Sequence, residues 1–167
     1  AGVAELYPGD RWVDWVATSG FNWGDAYSWS SWRDADSIYG SAYRALSGFG
    51  KPIMISEIGT TDIGGDAGAW ITESMATVRT SFPLVRAVLW YDDIDGAGLD
   101  FRLQGPTARA LADLEGLDDL ELLGVDHRNR VVLLVGHERG VGQGRRRRRR
   151  ESHKGTQHPN KTDLKAH

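Results

Sequence analysis

Three apolar runs, each followed by a polar and aromatic loop and then a helical pattern, divide the first 115 residues into similar units. The first run is Arg11-Trp12-Val13-Asp14-Trp15-Val16-Ala17, with the loop Thr18–Asn22 and a helical stretch near Ile38–Leu46 after it. The second is Pro52-Ile53-Met54-Ile55-Ser56, closed by Glu57 and the loop Gly59-Thr60-Thr61, with a helix over Asp66–Arg79. The third is Val85–Trp90, followed by the acidic loop Tyr91–Asp95 and a helix from Pro106 to Leu114. Proline suits that first turn because its missing N–H would find no intrahelical partner there.

Short, nearly continuous apolar strands separated by helices predict βαβ units and a parallel sheet covered on both faces. The fold class is therefore α/β, with parallel strands expected at about Val13–Ala17, Ile53–Ser56 and Ala87–Trp90, and with Glu57 and Trp90 at the same end. Both (β/α)8 barrels and doubly wound sheets place their chemistry at the C-terminal strand ends. The pattern alone leaves the two open. A barrel takes eight units and about 250 residues, so three units can only be part of one.

Charge and composition split the chain. Residues 1–123 carry 8 Lys/Arg against 19 Asp/Glu, and residues 124–167 carry 12 against 4, so balances of −11 and +8 sum to the net −3. Every aromatic residue lies at or before Phe101 and every histidine at or after His127, so the segments are read separately. There is no cysteine, hence no disulfide framework and no thiolate metal site. The histidines lack metal-site spacing, and no cofactor is expected. No run approaches the roughly 18 apolar residues of a membrane span, and no membrane partner is expected. Residues Ala1–Glu5 lack the basic and apolar regions of a signal peptide.

Glu57 is the sharpest chemical signal. A carboxylate after Ile53-Met54-Ile55-Ser56 lies at the mouth of a buried strand, where an unpaired charge is costly and usually has a partner or a task. The alternative is a solvated glutamate or one paired with an arginine. Tryptophans are the second signal. Trp23, Trp29 and Trp32 fall in the loop after the first strand and Trp90 ends the third, while Trp70 and one of Trp12 and Trp15 read as core. Aromatic faces suit the C–H faces of sugar rings and are also the general lining of ligand pockets. The alternative is a loop that packs on another part of the protein.

Four strings carry a family resemblance. Tyr7-Pro8-Gly9-Asp10 with Val13-Asp14-Trp15-Val16, then Gly20-Phe21-Asn22-Trp23, Lys51 to Gly59 and Val85 to Asp92 together resemble glycoside hydrolase family 26, the β-mannanase family. The resemblance spans about residues 5–115 in order and spacing. It implies a partial (β/α)8 TIM barrel over 1–116, its three strands being the sixth, seventh and eighth. It further implies a secreted, retaining, endo-acting enzyme on a β-1,4-linked polysaccharide, most of all β-mannan or a related β-glucan. Retention takes two carboxyl groups about 5–5.5 Å apart. By the resemblance Glu57 is the nucleophile, while the acid/base ends the fourth strand, outside this chain, so the isolated chain is expected to be inactive. Trp90 matches the tryptophan floor beneath the sugar, Asn22 and Trp23 match the sixth-strand loop, and Tyr91 and Asp92 follow Trp90 as substrate contacts. Arg102 resembles a family position after the last strand. Two departures stand out: Ser19-Gly20-Phe21-Asn22 replaces an Asp-Gly-Tyr-Asn string, and Phe21 lacks the tyrosine hydroxyl that would hold the nucleophile. A non-catalytic carbohydrate-binding remnant is the rival.

Residues 117–167 match nothing in the family. Six consecutive arginines, Arg145 to Arg150, repel one another, and from about Gly124 the chain is expected to be a disordered tail. The one exception is the apolar run Val131–Val135, which could add a strand to a sheet edge. Phosphate contacts would make such a tail a nucleic-acid binder, but the loss of all aromatics favours a solvated, non-selected end, and nucleic acid is not an expected partner.

Overall fold

Two aspartates start the long helices. Asp34 Oδ accepts from Ser37 N at 2.7 Å and Asp66 Oδ from Ala69 N at 2.9 Å, each taking a first-turn N–H that has no partner within its helix. The computed structural model describes residues 2–114 and the backbone of 120–126 and 130–135. Its elements are α1 (Val3–Leu6), β1 (Val16–Asn22), α2 (Ala35–Ser47), β2 (Ile53–Thr60), α3 (Ala67–Ser81), β3 (Val85–Tyr91), α4 (Pro106–Leu114), β4 (Leu120–Asp126) and β5 (Arg130–Val135). No helix among the described residues is long and apolar enough to cross a membrane.

Strands β1, β2 and β3 are parallel neighbours, and β5 and β4 follow in the order β1-β2-β3-β5-β4. This is a small α/β domain around a three-stranded parallel sheet. Ile58 pairs with Trp90, so Glu57 and Trp90 lie at the same, C-terminal end.

The first strand lies further along than expected. Trp12 and Trp15 are 68% and 44% exposed, and pairing begins only at Val16 opposite Ile53. The presumed loop Thr18–Asn22 is therefore strand, and β2 likewise runs through Glu57 to Thr60. Large aromatics before Val16 imitate a strand pattern, but the β2 backbone groups are met by the residues after it.

Helices pack on one face of the parallel sheet. Ile53, Ile55, Ile58, Val85, Val88 and Trp90 bury against Tyr39 and Leu46 of α2 and against Trp70, Ile71, Met75 and Val78 of α3. Each large side chain so removed from water contributes about 1.5–3 kcal/mol. The opposite face, reached by every second residue, carries Ala17, Ser19 and Phe21 of β1, Met54, Glu57 and Gly59 of β2, and Leu89 and Tyr91 of β3. Ala17 and Ser19 there are exposed, and Met54, Glu57, Leu89 and Tyr91 are half-buried. The expectation of two covered faces is corrected accordingly, since all three helices after β1, β2 and β3 serve the same side.

Strand β4 runs into the stretch from about Gly124, and β5 falls inside it. Residues 120–126 and 130–135 form an antiparallel pair, with Leu122 opposite Leu133, and β5 joins β3 antiparallel, with Val88 opposite Leu133. The run Val131–Val135 has found the edge its apolar character allows. Residues 130–135 take the course kept open for the run Val131–Val135, because an unpaired row of backbone groups along β3 is a ready template for another strand. The rest of the tail, including Arg145 to Arg150, lies outside the described residues.

Candidate active site

Glu57 sits at an irregularity in β2. Pairing with β1 passes from Thr18–Ile55 to Ser19–Glu57, and pairing with β3 shifts between Ile55 and Ile58. The extra residue is a β-bulge around Ser56–Glu57, and Ser56 Oγ donates to Thr18 O across it at 3.2 Å. A bulge changes which face the following side chains take and often re-aims one beside a working site. Here it leaves the half-buried Glu57 on the face away from the helices.

Gly59, two residues on and on the same face, makes room for an aromatic wall. A Cβ there would lie 3.0 Å from both Phe21 Cδ1 and Phe101 Cδ1. Phe21 meets Phe101 at 5.3 Å, Trp23 at 5.4 Å and Tyr91 at 5.6 Å between ring centres, and Trp23 meets Phe101 edge-on at 5.4 Å. Edge-to-face packing of this kind adds to simple burial and fixes the rings next to Glu57. Phe101 is 1% exposed and central to the wall, yet the sequence marked it only as the last aromatic of the chain.

Two of the expected substrate contacts are placed differently. Trp90 is 2% exposed, meets Trp70 of α3 edge-on at 6.3 Å, and donates its indole N–H to Phe101 O at 3.0 Å. It belongs to the helix-side core, and its neighbour Tyr91 holds the open face instead. Asn22 is fully buried: Nδ2 donates to Thr60 Oγ1 at 2.9 Å, and Oδ1 accepts from Gly24 N at 3.3 Å and Arg33 N at 3.0 Å. Its amide joins the end of β2 to both ends of the β1–α2 loop. Asn22→Ala strands two backbone N–H groups, and unfolding in urea is expected to show a loss of about 2–4 kcal/mol.

Trp23 and Tyr91 do share the aromatic wall. Asp92 is half-buried, and its Oδ1 accepts from Leu103 N at 2.6 Å, which folds the segment after β3 back over the strand end. Arg102 grips Asp100 with three hydrogen bonds, backbone N at 3.0 Å, Nε at 2.9 Å and Nη2 at 2.7 Å, while Gln104 Nε2 adds a fourth at 2.9 Å. Those hydrogen bonds, from Arg102 first, hold the Asp100 carboxyl down to about 2. The pair borders a cleft of about 540 Å³ between the end of β2 and the start of α4, lined also by Thr60, Asp62 and Asp66. Among the described residues no group of three or more His, Cys, Asp or Glu could hold a metal ion.

The arrangement can present one carboxylate beside a wall of aromatic rings at the C-terminal ends of parallel strands. That suits a ligand with apolar faces and a reacting centre open to nucleophilic attack. No family model matches the chain. Over 88 residues, 52% of its length, the chain is 42% identical to Endoglucanase H of Acetivibrio thermocellus. It spans about a tenth of that relative, 10% of its length.

Proposed function

We propose that residues 1–116 form the last three units of a (β/α)8 glycoside hydrolase resembling family 26, with Glu57 as the nucleophile of a retaining reaction on a β-1,4-linked polysaccharide. The observation that carries this is the placement of Glu57 by the β2 bulge, on the same face and at the same strand end as Phe21, Tyr91 and Trp23. In a closed barrel that face is the interior, and strand C-termini are where such enzymes act. The likeness to part of a protein named an endoglucanase supports a polysaccharide substrate. That name favours a glucan, whereas the sequence strings favour mannan.

The reaction begins when the Glu57 carboxylate attacks the anomeric carbon as the bond to the leaving oxygen breaks, that oxygen taking its proton from the acid/base outside this chain. Water then releases the sugar from the covalent ester, so two inversions give net retention. Phe21 offers no hydroxyl to Glu57, which makes a glycan-binding remnant without catalysis the second candidate. A hybrid in which the 88 matched residues of this chain replace their counterpart in Endoglucanase H separates the two. It is expected to hydrolyse β-glucan or β-mannan, with the first-formed reducing sugar seen by NMR in the β configuration, while the isolated chain is inactive. A well-folded hybrid that cleaves neither polymer would remove the catalytic proposal.

A further inference from the structure

The loop between β1 and α2 holds a second aromatic feature, which the chemistry at Glu57 does not use. Trp29 is 71% exposed and lies flat on Tyr27, ring centres 4.9 Å apart and planes 7° from parallel. Trp23 meets both rings at tilted angles, at 6.1 Å and 6.4 Å. Trp12, also largely exposed, differs because the Arg11 guanidinium sits 4.3 Å above its ring. Trp29 keeps one face on Tyr27 and turns the other to solvent.

The loop beneath the stack is held in place. Ser30 Oγ donates to Gly24 O at 2.8 Å and accepts from Tyr27 N at 3.0 Å. Asp25 N donates to Ile63 O at 3.0 Å, and Thr61 Oγ1 to Trp23 O at 3.3 Å. Asn22 ties down both ends of the same loop. A large ring kept in water on a fixed backbone meets a ligand without the ordering cost that a mobile one would carry. Next to it runs a cleft of about 500 Å³ lined by Phe21, Trp23, Trp29, Ser30, Ser31 and Arg33.

We propose that Trp29, supported by Tyr27, is a sugar-binding platform separate from the bond-breaking position. It takes a pyranose ring of a β-1,4-linked glycan, with the ring's axial C–H face on the indole. The Ser31 hydroxyl and the Arg33 side chain, which line the same cleft, can meet the sugar's hydroxyls, because a flat, equatorially linked sugar has apolar faces and a polar rim. The Arg33 guanidinium also donates to Ser37 O. Only the class of glycan rests on the function proposed above; the platform itself needs no second carboxyl group. Its neighbours Phe21 and Trp23 continue into the wall beside Glu57, so one chain could lie across both.

Affinity electrophoresis of the purified 167-residue chain tests this, with soluble β-glucan and galactomannan as probes and an α-linked glucan as control. Retardation by one or both β-linked polymers is expected, with the α-linked polymer without effect. Trp29→Ala is expected to weaken the retardation at least tenfold and Trp29→Phe only a few-fold, with the thermal transition unchanged because the side chain lies outside the core. Equal retardation of wild type and Trp29→Ala, or none of the wild type by either β-linked polymer, overturns the platform. Hydrolysis by the hybrid without binding at Trp29 sinks only this proposal, and binding without hydrolysis sinks only the catalytic one.

Discussion

Glu57→Gly in the hybrid enzyme is expected to lose about 10⁴-fold or more in turnover, the scale seen when a single essential catalytic group is deleted. Added azide should then restore cleavage of an aryl β-glycoside, though not of the polysaccharide. The aryl leaving group departs without a proton, and the anion fills the space left by the carboxylate. Attack by azide from that side inverts the anomeric carbon once, so the product is the α-glycosyl azide. A deleted acid/base would yield the β-glycosyl azide, because the nucleophile would still form its ester and azide would only intercept it. A glutamate that merely braces the strand would show no rescue. NMR of the azide product distinguishes the three, and a β-azide or no azide at all would remove Glu57 from the nucleophile role.

Gly24→Ala is expected to have the largest effect on folding. Gly24 has φ of +56°, and a Cβ added there would overlap the carbonyl oxygen of Ile63. A left-handed conformation alone costs a side chain about 1–2 kcal/mol. The overlap adds more, because backbone cannot swing aside as the end of a side chain can. The same region carries the Asp25 N to Ile63 O hydrogen bond, and relief of the clash would break it. A loss of about 3 kcal/mol or more is a large part of the 5–15 kcal/mol typical of a domain, and a fall in Tm of about 10 °C or more follows. Gly9 is the control: its φ is +105°, yet a Cβ there would meet nothing within 4 Å. Gly9→Ala should therefore cost only the conformational strain, and the difference between the variants isolates the collision. Equal melting temperatures would mean that the loop yields freely.

Much of this fold could be anticipated from residues whose pattern has one reading. Ile53-Met54-Ile55 and Val85 to Leu89 are too continuously apolar for exposed loops, and they are parallel strands. Pro106 marks the start of α4 because proline has no N–H to lose there. Asp66 lies one residue before α3, where a side-chain acceptor is needed. The first strand was displaced because Trp12 and Trp15 have strand-like spacing, while partner choice was settled by β2, far away in sequence. The site was less legible for a related reason. Whether Trp90 or Tyr91 faces the side away from the helices is a matter of one residue, and a bulge or slip exchanges them. Periodicity cannot report a bulge. Asn22 was recognisable as a notable amide, but its three hydrogen bonds join groups as distant as Thr60 and Arg33.

The antiparallel seat of β5 on β3 carries a consequence for assembly. In a closed (β/α)8 cylinder the strand beside β3 on that side would run parallel to it and use the same N–H and C=O row that now faces residues 130–135. Two strands cannot occupy one row, so the hairpin and the closing strand are competitors, and circular closure requires displacement of one by the other. Parallel and antiparallel ladders space their hydrogen bonds differently, so no intermediate register satisfies both at once. Exchange would therefore proceed by strand invasion from one end, with a rate set by how readily the terminal pairs Ala87–Leu134 and Tyr91–Arg130 fray. Were the sheet part of the barrel proposed above, the hairpin would plug its seam, and removal of the hairpin would be the step that lets an open sheet become a ring.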